Sequence, residues 1–147
     1  YADTATSHLG IYIINGTVTG GRNRISDNFI VGSHNALVGK GQGIRLEGNG
    51  REFLSGNIIR SFATGINVTT VGNTITECTL EFCAAGVTLA SNYNNVTGTF
   101  RYNTMGLNVA SGTKNGYNIA VDGNGTNVSN SGTGTVAGFT AGVMNLD

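Results

Sequence analysis

The apolar residues of this chain are spaced as strands, and one short phrase sets their rhythm. Glycine, an apolar residue, any residue and a second apolar residue recur as Gly65-Ile66-Asn67-Val68, Gly86-Val87-Thr88-Leu89 and Gly106-Leu107-Asn108-Val109. These glycines are 21 and 20 residues apart; Gly43-Ile44-Arg45-Leu46 stands 22 residues upstream and Gly10-Ile11-Tyr12-Ile13 a further 33. Side chains alternate across a strand, so the apolar pair points to one side and the residue between them to the other. A period near 21 is shorter than the helical repeats and fits a β-solenoid coil or a leucine-rich repeat. The leucine-rich signature is absent, which leaves the solenoid.

Two further strand signals precede each glycine. Six residues before it stand Ile59, Leu80 and Phe100, and four before it Ser61, Phe82 and Tyr102; both sets are predicted to face inward. Between them lie Arg60, Glu81 and Arg101, which alternation turns outward as a ladder of opposite charges about 4.8 Å apart. Earlier in each coil comes a third apolar position, Ile25, Leu54, Ile75 and Val96. Three strands per turn imply a three-sided coil. We expect an all-β parallel solenoid of about five to six coils over residues 1–122, with 123–147 as an irregular cap or association segment. Ser111 to Asn118 is polar, and the coil is expected to lose register there. Val143 to Leu146 alternates again and is read as a strand able to pair with another chain.

The coil from Gly10 to Gly43 is longer than the others, so part of Gly32 to Gln42 should protrude. It carries His34, Leu37, Val38 and Lys40. Insertions in solenoids map to one face, often the binding face, which makes His34 and Lys40 candidate ligand contacts. The alternative is a plain loop laid over the coil.

Composition narrows the field of functions. Of 147 residues only 11% are charged and the formal net charge is zero, so the electrostatic footprint of a nucleic-acid binder is missing. No apolar run approaches the ~20 residues of a membrane-spanning helix. There are 24 glycines and no proline. Glycine and asparagine tolerate left-handed turns, which a stack of coils needs at its corners. Cys78 and Cys83 share one coil; without a histidine nearby they read as buried thiols rather than metal ligands, a disulfide being the alternative. No metal or cofactor is expected. The chain opens on Tyr1 and reaches its first phrase at Gly10, so we expect a piece of a longer protein, or a processed product, with something upstream covering the first coil.

Three carboxylates are candidate acids. Asp27 and Glu77 fall near the same corner two coils apart, about 10 Å by strand spacing. That approaches the separation at which two carboxylates flank a water in an inverting glycosidase. Glu52 lies beyond a turn containing Asn49, Gly50 and Arg51. The simpler reading of all three is a solvated surface carboxylate. His8 and His34 make no metal pair, and neither a phosphate-binding loop nor a serine nucleophile elbow occurs.

With the glycine phrase at intervals of 20–22 residues and asparagines at the turns (Asn57, Asn73, Asn95), the chain resembles the pectin-lyase-like superfamily of right-handed parallel β-helices. Its glycine-, asparagine- and threonine-rich texture most resembles bacteriophage tailspikes. The resemblance covers Gly10 to about Val121. It implies a right-handed helix, a homotrimer, and binding of bacterial surface polysaccharide, with cleavage in many members by acidic residues on the helix face or between subunits. It also implies a virion or extracellular location after folding in a bacterial cytoplasm. The calcium-binding aspartate cluster of pectate lyases is not recognisable. On this view the outward residues Tyr12, Arg45, Asn67 and Asn108 contact the glycan, and Asp27, Glu52 and Glu77 are the acids of a hydrolase or lyase. A structural trimeric shaft is the remaining reading.

Overall fold

A computed structural model describes residues 9–15, 23–32, 41–48 and 50–137. The strands, in chain order, are β1 (Leu9–Asn15), β2 (Arg24–Ser26), β3 (Phe29–Val31), β4 (Gln42–Gly48), β5 (Phe53–Ser55), β6 (Ile58–Arg60), β7 (Thr64–Val68), β8 (Thr74–Glu81), β9 (Ala85–Ala90), β10 (Asn95–Arg101), β11 (Met105–Ser111), β12 (Gly116–Asp122), β13 (Thr126–Asn130) and β14 (Val136–Ala137). Every pairing among them is parallel. The chain is a parallel β-solenoid of about 4 turns with coils of ~21 residues.

The glycine phrase builds the first face, a sheet in the order β1-β4-β7-β9-β11-β13. Ile11, Ile44, Ile66, Val87, Leu107 and Val128 stack in one inward file. From Ile44 to Leu107 these side chains are completely buried. The glycines themselves answer a packing constraint. A Cβ on Gly65 would lie 2.6 Å from the Gly86 carbonyl oxygen and 2.7 Å from Leu80, and one on Gly86 2.5 Å from the Gly106 carbonyl oxygen. No side chain fits between coils there.

The second face is β2, β5 and the first half of β8, with Ile25, Leu54 and Ile75 inside. The third is β3, β6 and the second half of β8, with Ile59 and Leu80 inside. The three inward files meet in one apolar core that also holds Val96, Phe100, Cys78 and Cys83. Both cysteines are free and buried.

Corners are made by single residues with left-handed backbone. At the first corner, leading into the second face, stand Arg51 (φ 68°), Gly72 (75°), Tyr93 (58°), Lys114 (54°) and Gly134 (60°). The second corner has Asp27 (58°), Gly56 (64°) and Glu77 (54°), and the third Ser61 (61°), Phe82 (55°), Tyr102 (57°) and Gly123 (58°). A side chain in this conformation costs about 1 kcal/mol. The corner N–H groups of Asp27, Arg51, Gly56, Ser61, Gly72, Tyr93, Tyr102 and Lys114 are bonded to carbonyls of the next coil, as Arg51 to that of Val71 (2.9 Å) and Tyr102 to that of Asp122 (2.9 Å).

This corrects one expectation. Phe82 and Tyr102 do not face inward: they are 41% and 48% exposed, because the left-handed residue at the third corner turns its side chain out. The inward place passes to the next residue, Phe62, Cys83 and Asn103. The expectation for Ser111 to Asn118 holds in part: β11 slips by one residue against β9 between Val109 and Ser111, and register is regained in β12, which pairs with β10 residue for residue from Gly116↔Asn95 to Asp122↔Arg101. The polar residues there are corner and ladder residues. Pairing continues past residue 122, with β13 on β11 and β14 on β12.

Buried asparagines follow the corners. Behind the first corner, Oδ1 of Asn73, Asn94 and Asn115 accepts the backbone N–H of Glu52, Asn73 and Asn94 respectively, each at 2.9 Å. Behind the third, Asn103 accepts from Cys83 N–H (2.9 Å) and Asn124 from Asn103 N–H (2.8 Å). These bonds satisfy amides that the turns leave without strand partners.

Candidate functional site

The outer surface of the first face gathers four of the residues singled out in the sequence. Tyr12 pairs with Arg45, Arg45 with Asn67, Asn67 with Thr88, Thr88 with Asn108 and Asn108 with Ser129, so all six lie in one outward file. The file is polar because the residue between the two apolar members of each phrase must point to solvent. At its upper end the Tyr12 hydroxyl donates to Glu47, the Arg45 Nε–H donates to the same carboxylate at 2.6 Å, and the guanidinium lies over the Tyr12 ring at 5.3 Å. The hydrogen bond to Glu47 raises the Tyr12 phenol above its ordinary value. The bonds from Tyr12 and then Arg45 hold the Glu47 carboxyl below its own. Asn67 donates to the Gln42 side chain at 3.2 Å.

The three candidate acids separate. Asp27 and Glu77 are exposed, stand on the second corner and have Gly56 between them in the column. The Asp27 carboxylate fills the space over Gly56: a Cβ there would lie 2.5 Å from Asp27 Oδ1. Asp27 therefore leans along the column toward Glu77. Glu52 stands apart from them. It is 2% exposed and occupies a rung of the asparagine ladder, its Oε2 accepting the Asn23 N–H at 2.7 Å. A carboxylate there replaces an asparagine oxygen. His34 and Lys40 lie outside the described residues, as do His8, Leu37, Val38 and Val143 to Leu146. Among the described residues no group of three His, Cys, Asp or Glu side chains comes together.

The predicted charge ladder is present on the third face. Glu81 lies between Arg60 (Nε to Oε2, 2.5 Å) and Arg101 (Nε to Oε1, 2.7 Å). Its side chain is only 5% exposed, whereas the arginines are 41% and 42% exposed. Beside this ladder, at the third corner, the rings of Phe82 and Tyr102 stack at 5.4 Å with planes 14° apart.

Reading from the apolar phrase missed the first corner. Arg51, Gly72, Tyr93 and Lys114 recur every 21 residues, and each precedes the inward Glu52, Asn73, Asn94 or Asn115. This polar period is as regular as the apolar one. A shallow hollow lined by Arg51, Glu52, Phe53, Gly72 and Thr74 opens beside it.

These features define the chain as a parallel β-helix with an uncommitted outer surface. No family model, no curated protein and no solved structure matches it.

Proposed function

We propose that the chain binds an extended polysaccharide along the outer surface of its first face. The observation that carries this reading is the unbroken outward file of Tyr12, Arg45, Asn67, Thr88, Asn108 and Ser129. It presents an amide, hydroxyl or guanidinium at each strand spacing of about 4.8 Å, on a rigid sheet that needs no ordering on binding. Repeated donors and acceptors in a straight row suit a repeating polymer of hydroxyl-bearing rings. The resemblance drawn from the sequence extends the proposal to a bacteriophage tail appendage, a bacterial surface polysaccharide as ligand, and a homotrimer. Glycan-array binding tests it. Asn67→Ala with Asn108→Ala should lower binding about tenfold, the order expected for losing two hydrogen bonds. A trimer is checked by sedimentation; a monomer counts against that part.

A second reading is a polysaccharide hydrolase or lyase, and one observation favours it: Asp27 and Glu77 share one corner column with only Gly56 between them. Two carboxylates so placed suit acid–base cleavage with an intervening water. Incubation with bacterial polysaccharides and assay of new reducing ends or unsaturated sugars tests it. Asp27→Asn and Glu77→Gln should each abolish release while leaving binding intact. Neither binding nor release from any glycan would favour a structural shaft.

A further inference from the structure

The first corner differs chemically from the other two. Arg45 is paired with Glu47, and Arg60 and Arg101 share Glu81, but Arg24, Arg51 and Lys114 take part in no ion pair among the described residues. Two of these three are held by aromatic rings instead. The Arg24 guanidinium lies over Phe53 at 5.5 Å and the Lys114 ammonium over Tyr93 at 5.8 Å. A ring positions a cation without neutralising it. Arg24 pairs with Phe53 across neighbouring coils, and Phe53 immediately follows Arg51 and Glu52, so the charges and rings form one strip. In the middle of the strip the corner side chain is missing at Gly72, and the hollow opens there beside Arg51, Phe53, Thr74 and the buried Glu52, whose Oε2 is taken up by the Asn23 N–H.

We propose that this strip binds an anionic polysaccharide, with Arg51 and Lys114 meeting its acidic groups and Phe53 and Tyr93 the C–H faces of its sugar rings. Arg51 and Lys114 stand three corners apart in the column, about 14 Å by strand spacing. One small anion does not reach both; a polymer with acidic groups repeated along it does. Thr74 and Asn95 succeed Phe53 in the outward file and offer hydroxyl and amide partners between the charges. A nucleic acid is the poorer occupant. Among its described residues the strip has three cations, too few to follow a backbone charged at every nucleotide.

The proposal concerns a different surface from the first-face file and stands or falls separately. The test is binding of the full chain to immobilised hyaluronate, alginate, neutral dextran and single-stranded DNA at low and high salt. At least one carboxylated polymer should bind more tightly than dextran and DNA, and should weaken as salt rises. Arg51→Gln with Lys114→Gln should reduce that binding about tenfold or more, as expected for losing two charge-assisted contacts. Gly72→Asn should also reduce it, since asparagine tolerates the left-handed backbone and fills the hollow. Thermal melting confirms that each variant is folded. Equal binding to dextran, equal or tighter binding to DNA, no binding to either carboxylated polymer, or full binding by the folded Arg51/Lys114 double variant would each overturn the proposal.

Discussion

The residues that hold the corners together are small amides, and their effect is out of proportion to their size. Asn94 Oδ1 accepts both the N–H (2.9 Å) and the Nδ2–H (2.8 Å) of Asn73 inside the protein. Asn94→Ala leaves the buried Asn73 N–H without its acceptor, while the Asn73 Nδ2 keeps the Thr70 carbonyl at 2.8 Å. A loss of about 2–3 kcal/mol should follow, read from urea unfolding with an unchanged slope. The cysteines give a second test. Burial raises both thiols, Cys83 from 9.0 to about 11. The folded state therefore keeps a proton that the unfolded chain releases. Stability should be constant below about pH 8 and fall as pH rises from 9 toward 11, by up to about 1.4 kcal/mol per unit for one thiol. Cys83→Ala should make the fall shallower, and neither native thiol should react with a thiol reagent at neutral pH. The inward burial of Ile59, Leu80, Cys78 and Cys83 was legible in the sequence. The turned-out rings of Phe82 and Tyr102 were not, because alternation assumes an extended backbone and one left-handed residue breaks the count.

Between neighbouring strands, charge pairing is decided by which partner is covered. Glu81 is nearly buried and has two arginines, while each arginine is two-fifths exposed. Losing one arginine leaves the carboxylate still paired, so Arg60→Met or Arg101→Met should cost at most about 1 kcal/mol. Losing both strands a covered charge, and the double variant should cost about 3 kcal/mol or more, well beyond the sum of the singles. Chemical denaturation of the four members of the cycle checks it; additive losses would mean that Glu81 is solvated. This ladder was readable in advance, since Arg60, Glu81 and Arg101 keep a fixed distance from the phrase glycines. The ladder of Glu52, Asn73, Asn94 and Asn115 has an equally fixed spacing. Corner asparagines taken one by one look like ordinary turn residues, and only the stacked coils show that their oxygens point inward.

Over the whole molecule the same file of side chains is touched again and again by the chain, so a fault in one coil is felt by its neighbours. Ile66 is completely buried between Ile44 and Val87. Ile66→Asp should abolish folding, because an unpaired carboxylate in that file costs several kcal/mol; a cooperative melt like that of the parent would contradict the packing. Leu89→Ala should cost about 2–5 kcal/mol as a cavity with coils on both sides. The period predicted this architecture because a solenoid places the same demand on every turn. The proposed binding surfaces were less legible. Tyr12, Arg45, Asn67 and Asn108 followed from alternation, whereas the cation–ring strip joins Arg24, Arg51, Phe53, Tyr93 and Lys114 from different coils. Only the fold brings these residues together.

The second corner is not carried to the end of the column. Opposite Thr76, Glu77 and Cys78 the next strand offers only Thr97 and Gly98, so that coil is one residue shorter and the pairing shifts there. A side chain on Gly98 would strike the Cys78 carbonyl oxygen at 2.3 Å, so glycine is what closes the shortcut. Coil circumference and the height of the column are thereby uncoupled: an edge can be trimmed while the storeys above and below stay aligned. Removing Glu77 together with Cys78→Gly should yield a folded, cooperatively melting protein. The acidic rim is thus an optional ornament of the wall, free to be kept or discarded for reasons other than holding it upright.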